Sequence, residues 1–193
     1  IFDYLENNLI INKSNLRSSL LDGKLNGEVE FMPYFKFDLD ISLNSLNFTK
    51  LYTYFLSLSS NAQKNIFKIN NKINGLISLS SDKIYSSNNL IKSFESRLRF
   101  SNGNILIDQL LFNLGKLGAA DLVGVVNNEK KYTNLKYESN IFIDNKKKFK
   151  SKFGIYNKED IFDNLYVSGN FDLLNIKNSF YEIEGNEKVK ADD

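Results

Sequence analysis

Two carboxylates, Asp38 and Asp40, stand two positions apart in the stretch FKFDLDISL. On a strand that spacing puts both side chains on one face, the starting arrangement for glycoside hydrolysis or for calcium binding. Neither chemistry gains a further participant. No Asp/Asn-Gly loop of the EF-hand kind and no second acidic cluster accompanies the pair, so an exposed polar strand face is the simpler account. The chain contains no His and no Cys, which removes imidazole and thiolate from the available chemistry. Ser-His-Asp triads, Cys-His pairs, the usual zinc ligand sets and disulfides all fall away with them. The expectation is a protein that is not an enzyme, with no catalytic residue, no metal and no cofactor.

The densest charge is NKKKFK, residues 145–150, which gathers Lys146, Lys147, Lys148 and Lys150. Such a cluster can meet anionic lipid headgroups, each Lys contributing up to about 1 kcal/mol near such a surface. Its plainer role is a solvated hairpin end that discourages edge-to-edge pairing. The interleaved aromatics and lysines of KKYTNLKY imitate a platform for stacking nucleic acid bases, but 25 basic residues against 23 acidic ones leave a net charge of only +2. No nucleic acid partner is expected. Asn74-Gly75 and Asn102-Gly103 read as hairpin turns, because no Gly-rich stretch precedes a helix as a phosphate loop requires.

The elements that must carry these residues are mostly strands. An Asn or Ser followed by Gly and then by alternating apolar residues recurs in NGEVEF from Asn26, NGLISL from Asn74, NGNILI from Asn102 and SGNFDL from Ser168. Gly and Asn accept the positive φ of a tight turn, and the alternation sends one set of side chains to each face, so each motif predicts the beginning of a strand. The spacing between copies is irregular, which excludes a strict solenoid. In YFKFDLDISL, residues Phe35, Phe37, Leu39, Ile41 and Leu43 share one face, and the polar residues take the other. Further strands are predicted at Leu16–Leu21, Ile69–Ser80, Leu90–Phe100, Asn104–Leu114, Ala119–Val126, Tyr132–Ile143, Phe149–Ile155, Leu165–Leu173 and Lys177–Ile183. Pro33, the single proline, is expected at a bend or a strand start.

One helix is predicted in NFTKLYTYFLSLSS, where Phe48, Leu51, Phe55 and Leu58 recur at helical spacing after Asn47 as N-cap. A second, short one is predicted over Lys158–Asn164. A helix of a dozen residues spans roughly 18 Å, too little to blanket a large sheet. Three covers are open for the apolar face: a second sheet, the same sheet curled on itself, or a ligand with apolar surface of its own.

The segment LRFSNGNILIDQLLFNLGKLGAADLVGVV, Leu98–Val126, resembles the C-terminal region of the AsmA-like family of bacterial envelope proteins. There a strand, an Asn-Gly turn, a second strand, a turn of small residues and a third strand follow one another; here the turns are Asn102-Gly103 and Gly115 to Ala120, with Gly124 beyond. The alternating strand and Leu-rich helix of residues 25–60 are similar too, and the match is strongest over 25–126. The turns depart from the family pattern in carrying Asn and Lys where Ala and Gly are usual.

The resemblance implies a mainly β, long, curled antiparallel sheet with an open apolar groove and one short capping helix. It also implies a single β-rich segment, 1–193, of a larger protein, and the first residue, Ile1, fits that expectation. The implied role is non-enzymatic transfer of phospholipid between inner and outer membrane, from the bacterial periplasm, with an inner-membrane anchor outside this segment and other envelope proteins as partners. The groove is then expected to be lined by Phe35, Phe37, Leu39, Ile41 and Leu43 together with Ile105, Ile107, Leu110, Phe112 and Leu114, the register after Asp108 depending on whether QLLFNL bulges. The alternative is a β-sandwich or β-solenoid interaction module of a surface or secreted protein.

Overall fold

The computed structural model describes residues 2–128, 133–155, 162–174 and 179–184. Its strands run in chain order β1 (Phe2–Leu5), β2 (Asn8–Arg17), β3 (Leu21–Glu30), β4 (Lys36–Asn47), β5 (Asn74–Ser81), β6 (Ile84–Tyr85), β7 (Ser93–Ser101), β8 (Asn104–Asn113), β9 (Gly118–Asn128), β10 (Thr133–Ile143), β11 (Asn164–Asp172) and β12 (Phe180–Glu184). All twelve belong to one open sheet that does not close into a barrel. Spatial order follows sequence order, with the two-residue β6 paired beside β4 off the main path. Neighbours joined by short turns are antiparallel, which is the only geometry a tight turn allows.

The exceptions are β4 with β5 and β4 with the short β6. They are parallel, so the sheet is not wholly antiparallel as expected, and the chain must travel the length of a strand to begin β5. Residues 48–73 make that crossover through α1 (Phe48–Ser57) and α2 (Ser60–Ile66). Asn47 caps α1 as the sequence predicts, its Oδ1 accepting from the Lys50 amide at 3.0 Å, and Ser59 Oγ does the same for the Ala62 amide at 3.3 Å.

Three further expectations are corrected. The segment predicted as a strand over Phe149–Ile155 is helical: α3 (Lys146–Phe153) begins where Asn145 Oδ1 accepts from the Lys148 amide at 2.9 Å and ends at Gly154, whose φ of 69° makes it a left-handed cap. The lysine cluster is therefore a helix and not a hairpin end. Leu16–Leu21 is not one strand: Leu16 and Arg17 end β2, Leu21 opens β3, and the turn of residues 18–20 lies between them, with Ser18 Oγ accepting from the amides of Leu20 and Leu21. The described α-helices number three, and α2 and α3 fall where no helix is expected. Of the second predicted helix, 158–161 lies outside the described residues, and Asn164 opens β11.

The four Gly motifs divide. Asn102 and Gly103, with φ of 52° and 80°, form the tight turn between β7 and β8, whereas Asn74-Gly75 opens β5 and is not the hairpin turn expected, since β5 runs parallel to β4. Gly27 and Gly169 instead lie inside β3 and β11. Pro33 sits in the bend before β4, as expected.

Candidate functional site

Pairing registers determine which side chains share a face. In β4, Phe37, Leu39, Ile41 and Leu43 stand opposite Val29, Gly27, Leu25 and Gly23 of β3 on one side, and Gly75, Ile77, Leu79 and Ser81 of β5 on the other. The same face continues through Phe100, Leu98, Ser96 and Phe94 of β7 to Ile105, Ile107, Leu110 and Phe112 of β8. It then runs through Val126, Gly124, Leu122 and Ala120 of β9 to Leu135, Tyr137, Ser139 and Ile141 of β10. Phe171, Gly169, Val167 and Leu165 of β11 extend it to Tyr181 and Ile183 of β12. From β3 to β12, these described positions include no Asp, Glu, Lys or Arg.

Two register shifts keep that face apolar. In β8 one extra residue opposes β7 between Leu98 and Arg97, so Leu110 and Phe112 remain on the side of Ile105 and Ile107. Without this bulge the alternation would turn them over after Asp108. In β4 the shift at Asn44 similarly brings Leu46, opposite Leu21, back to the side of Leu43. The ten expected lining residues are thus mostly brought together: eight lie on one face of β4 and β8. The remaining two flank the strands. Phe35 precedes β4 and rests edge-on against Phe37, with ring centroids 6.1 Å apart, while Leu114 follows β8, is buried, and donates its amide to the Gly118 carbonyl.

No second layer of described elements lies over this face. Beyond neighbouring strands, the main contacts are α1 with β6 and α3 with the single 3-10 turn at Gly115–Leu117. Only eight apolar residues among those described are buried, Leu43 at 4% exposure among them. The strand faces shield one another side by side, and among the described residues it is α1 and the loop after β6 that reach over one end of them.

At the end of the sheet where β4 stops, α1 and the loop after β6 partly close the face over an open cavity of about 340 Å³. Phe48 and Leu51 of α1, Leu90 and Ile91 of the loop, and Leu79, Phe94, Leu110 and Phe112 of the sheet line it. At the other end the rings of Tyr4, Phe31, Phe35, Phe37 and Phe100 form a chain with successive centroids 5.3 to 6.4 Å apart, within the range of favourable aromatic contact.

The opposite face is polar but not uniformly so, since Leu76, Leu111, Val123 and Phe142 are exposed on it. Asp38 and Asp40 lie there, with Ser42 Oγ donating to Asp40 at 3.4 Å. A larger hollow of about 470 Å³ on this side is lined by Asp40, Ser80, Glu95, Arg97 and Gln109 among others. Among the described residues no group of three metal-ligating side chains occurs. Arg99 and Asp108 pair at 2.6 Å, and Asp121 accepts from both the backbone and the side chain of Asn140 at 3.0 Å.

The lysines of α3 have diverging surroundings. Lys146 pairs with Asp163 at 3.0 Å, and Lys152 donates to the Asn88 carbonyl at 2.7 Å. Lys147 and Lys148 are exposed, without an acidic partner among the described residues. The Tyr137 hydroxyl is pushed above its usual pKa of 10.0 by burial on the apolar face and secondarily by the neighbouring Tyr181.

Sequence reasoning missed most of the face outside β4 and β8. The alternation Phe94, Ser96, Leu98, Phe100 was visible in SFESRLRFS, but only the register assigns it to the same side as Phe37 and Ile105. No helix among the described residues is long and apolar enough to cross a membrane. No protein-family model, curated protein or solved structure matches the chain.

Proposed function

We propose that the chain is a lipid-transfer segment of AsmA-like type, whose apolar sheet face shields phospholipid acyl chains on their way between two membranes. In this reading it catalyses nothing, belongs to a longer envelope protein anchored in the inner membrane, and works in the bacterial periplasm. One observation carries the proposal: a charge-free face, continuous from β3 to β12, with no second layer upon it. Its strands of about ten residues, each rising about 3.3 Å per residue and spaced about 4.8 Å apart, give it an area on the order of 1,000 Å². That exceeds the few hundred Å² of apolar patch that a soluble monomer usually leaves uncovered.

Acyl chains meet the requirement well. Each CH₂ removed from water contributes roughly 0.8 kcal/mol, so a lipid leaving a bilayer needs apolar surface along its whole path. Burial of this kind is non-directional, which suits a surface without charge or hydrogen-bonding pockets. A curled sheet would wrap such chains more fully, and two features favour curling. The bulges in β2, β4 and β8 bend strands. Gly23, Gly27, Gly75, Gly124 and Gly169 all stand on the apolar face beside bulky neighbours, giving room where side chains crowd on a concave surface. At Gly75, a methyl group would lie 2.5 Å from the Phe37 ring.

A sandwich needs a second sheet, and all the described strands belong to one. The test is photocrosslinking in cells supplied with labelled phospholipid, with the photoreactive residue at Phe37 or, on the opposite face, at Asp38. Lipid adducts at Phe37 and not at Asp38 are expected. Adducts to protein alone at Phe37 would replace the lipid conduit with a protein-binding module.

A further inference from the structure

α1 is unusual for a helix in a folded chain because none of its residues is buried. Phe48, Tyr52 and Leu56, at successive i, i+4 positions, form an outward ridge with exposures of 49%, 47% and 55%. The rings of Phe48 and Tyr52 stack, 6.3 Å apart. Phe48 and Leu51 line the cavity, and Phe55 packs edge-on against Phe67. Phe48 thus joins the ridge to the cavity mouth, while Tyr52 and Leu56 beyond it remain about half exposed, and two large side chains left so call for another explanation.

α3 presents the complementary chemistry. Five of its eight residues are lysine and none is acidic, and Lys116 in the 3-10 turn beside it adds a further positive charge. Both helices are tied to the same loop: the Ser87 amide donates to Thr49 Oγ1 of α1 at 3.0 Å, and Lys152 of α3 donates to the Asn88 carbonyl at 2.7 Å. That loop supplies Leu90 and Ile91 to the wall of the apolar cavity. An exposed aromatic ridge, unpartnered lysines and the mouth of an apolar cavity therefore meet at one end of the sheet.

We propose that this end docks on an anionic phospholipid bilayer, with the Phe48–Tyr52–Leu56 ridge in the interfacial zone and Lys147 and Lys148 facing headgroup phosphates. Amphipathic aromatics partition to the boundary between headgroups and acyl chains, and basic residues beside them are drawn to the negative surface. An acidic protein or a nucleic acid would satisfy the lysines but leave Leu56 and the cavity mouth without a role. The inference rests on the lipid-transfer reading and gives it a direction: the cavity end faces the membrane, and the aromatic chain from Tyr4 to Phe100 lies at the far end of the sheet.

The experiment is flotation of the full chain with vesicles of phosphatidylcholine alone or mixed with phosphatidylglycerol. Binding to the anionic vesicles and little to the neutral ones is expected. The pair Lys147→Gln and Lys148→Gln should lower the partition constant by about fivefold per lysine, and Tyr52→Ser with Leu56→Ser should lower it at unchanged charge. Lys68→Glu with Lys72→Glu, outside this end, should leave it within about twofold of the parent. Equal binding to both vesicle types, indifference to both sets of variants, or displacement from anionic vesicles by polyglutamate or DNA at lower concentration than soluble phosphatidylglycerol would overturn the proposal. Crosslinking of short-chain labelled phospholipid at Phe37 without any vesicle separates the two readings. If it persists while flotation fails, only the docking end is wrong; if it is absent while flotation succeeds, the transfer reading fails.

Discussion

The two faces of the sheet are made by the same strands, residue by residue in alternation, yet they solve different problems. The polar face holds its shape with directional pairs such as Arg99–Asp108 and Asp121–Asn140, each satisfied locally and each worth little in water. On the apolar face the Ser96 and Ser139 hydroxyls donate to the strand carbonyls of Leu79 and Asp121, and the apolar side chains depend on shielding their neighbours. Stability should therefore be concentrated on the side that is also offered to a ligand. A substitution made for binding on that side will be felt by the fold.

The strongest way to break this contrast is to compare Leu43→Ala with Asp40→Ala in the same strand. Leu43 is 4% exposed, and its truncation is expected to cost about 2–4 kcal/mol, read as a lower urea midpoint. Asp40→Ala, on the exposed face, should stay within about 0.5 kcal/mol. Equal losses would mean that the polar face also rests on something buried. A smaller effect is expected from filling the gap beside Phe37: Gly75→Val places atoms where the ring and the Phe37 carbonyl already stand, each 2.5 Å from a first added carbon, at a cost of about 1–3 kcal/mol. Ser78→Val, on the polar face of the same strand, should be nearly neutral.

How much of this was legible follows from the reach of each signal. Alternation in FKFDLDISL and NILIDQLLFN identifies two strands and the apolar side of each, because period two is a local property. The bulge at Asp108 was legible as well: QLLFNL cannot keep Leu110 with Ile107 without an extra residue. The union of those strands into one face was not legible, since it depends on registers between segments far apart in the chain. The parallel step from β4 to β5 had a trace in the helix that follows Asn47, a connection too long for a hairpin. The lysine helix was misread because KKKFKSKF has helical spacing between Phe149 and Phe153 but only one turn of it to show. The caps, Asn145 and Gly154, were the better signal there.

The smallest effect concerns Tyr137, an ionisable group that the apolar face displaces. Tyr137 titrates above 10.0 because burial penalises the tyrosinate and Tyr181 adds like charge. The unfolded chain, with a tyrosine pKa of about 10, loses this proton first. Below that pH both states keep it and the full contribution is present; as pH rises towards the folded value, the unfolded state is favoured and the contribution is lost. The stability of the parent relative to Tyr137→Phe should therefore decline between about pH 9 and about pH 11, measured as the difference in urea midpoints. A constant difference across that range would mean that water reaches Tyr137 as freely in the folded sheet as in the unfolded chain, and that the apolar face is wetter at its β12 edge than at β4.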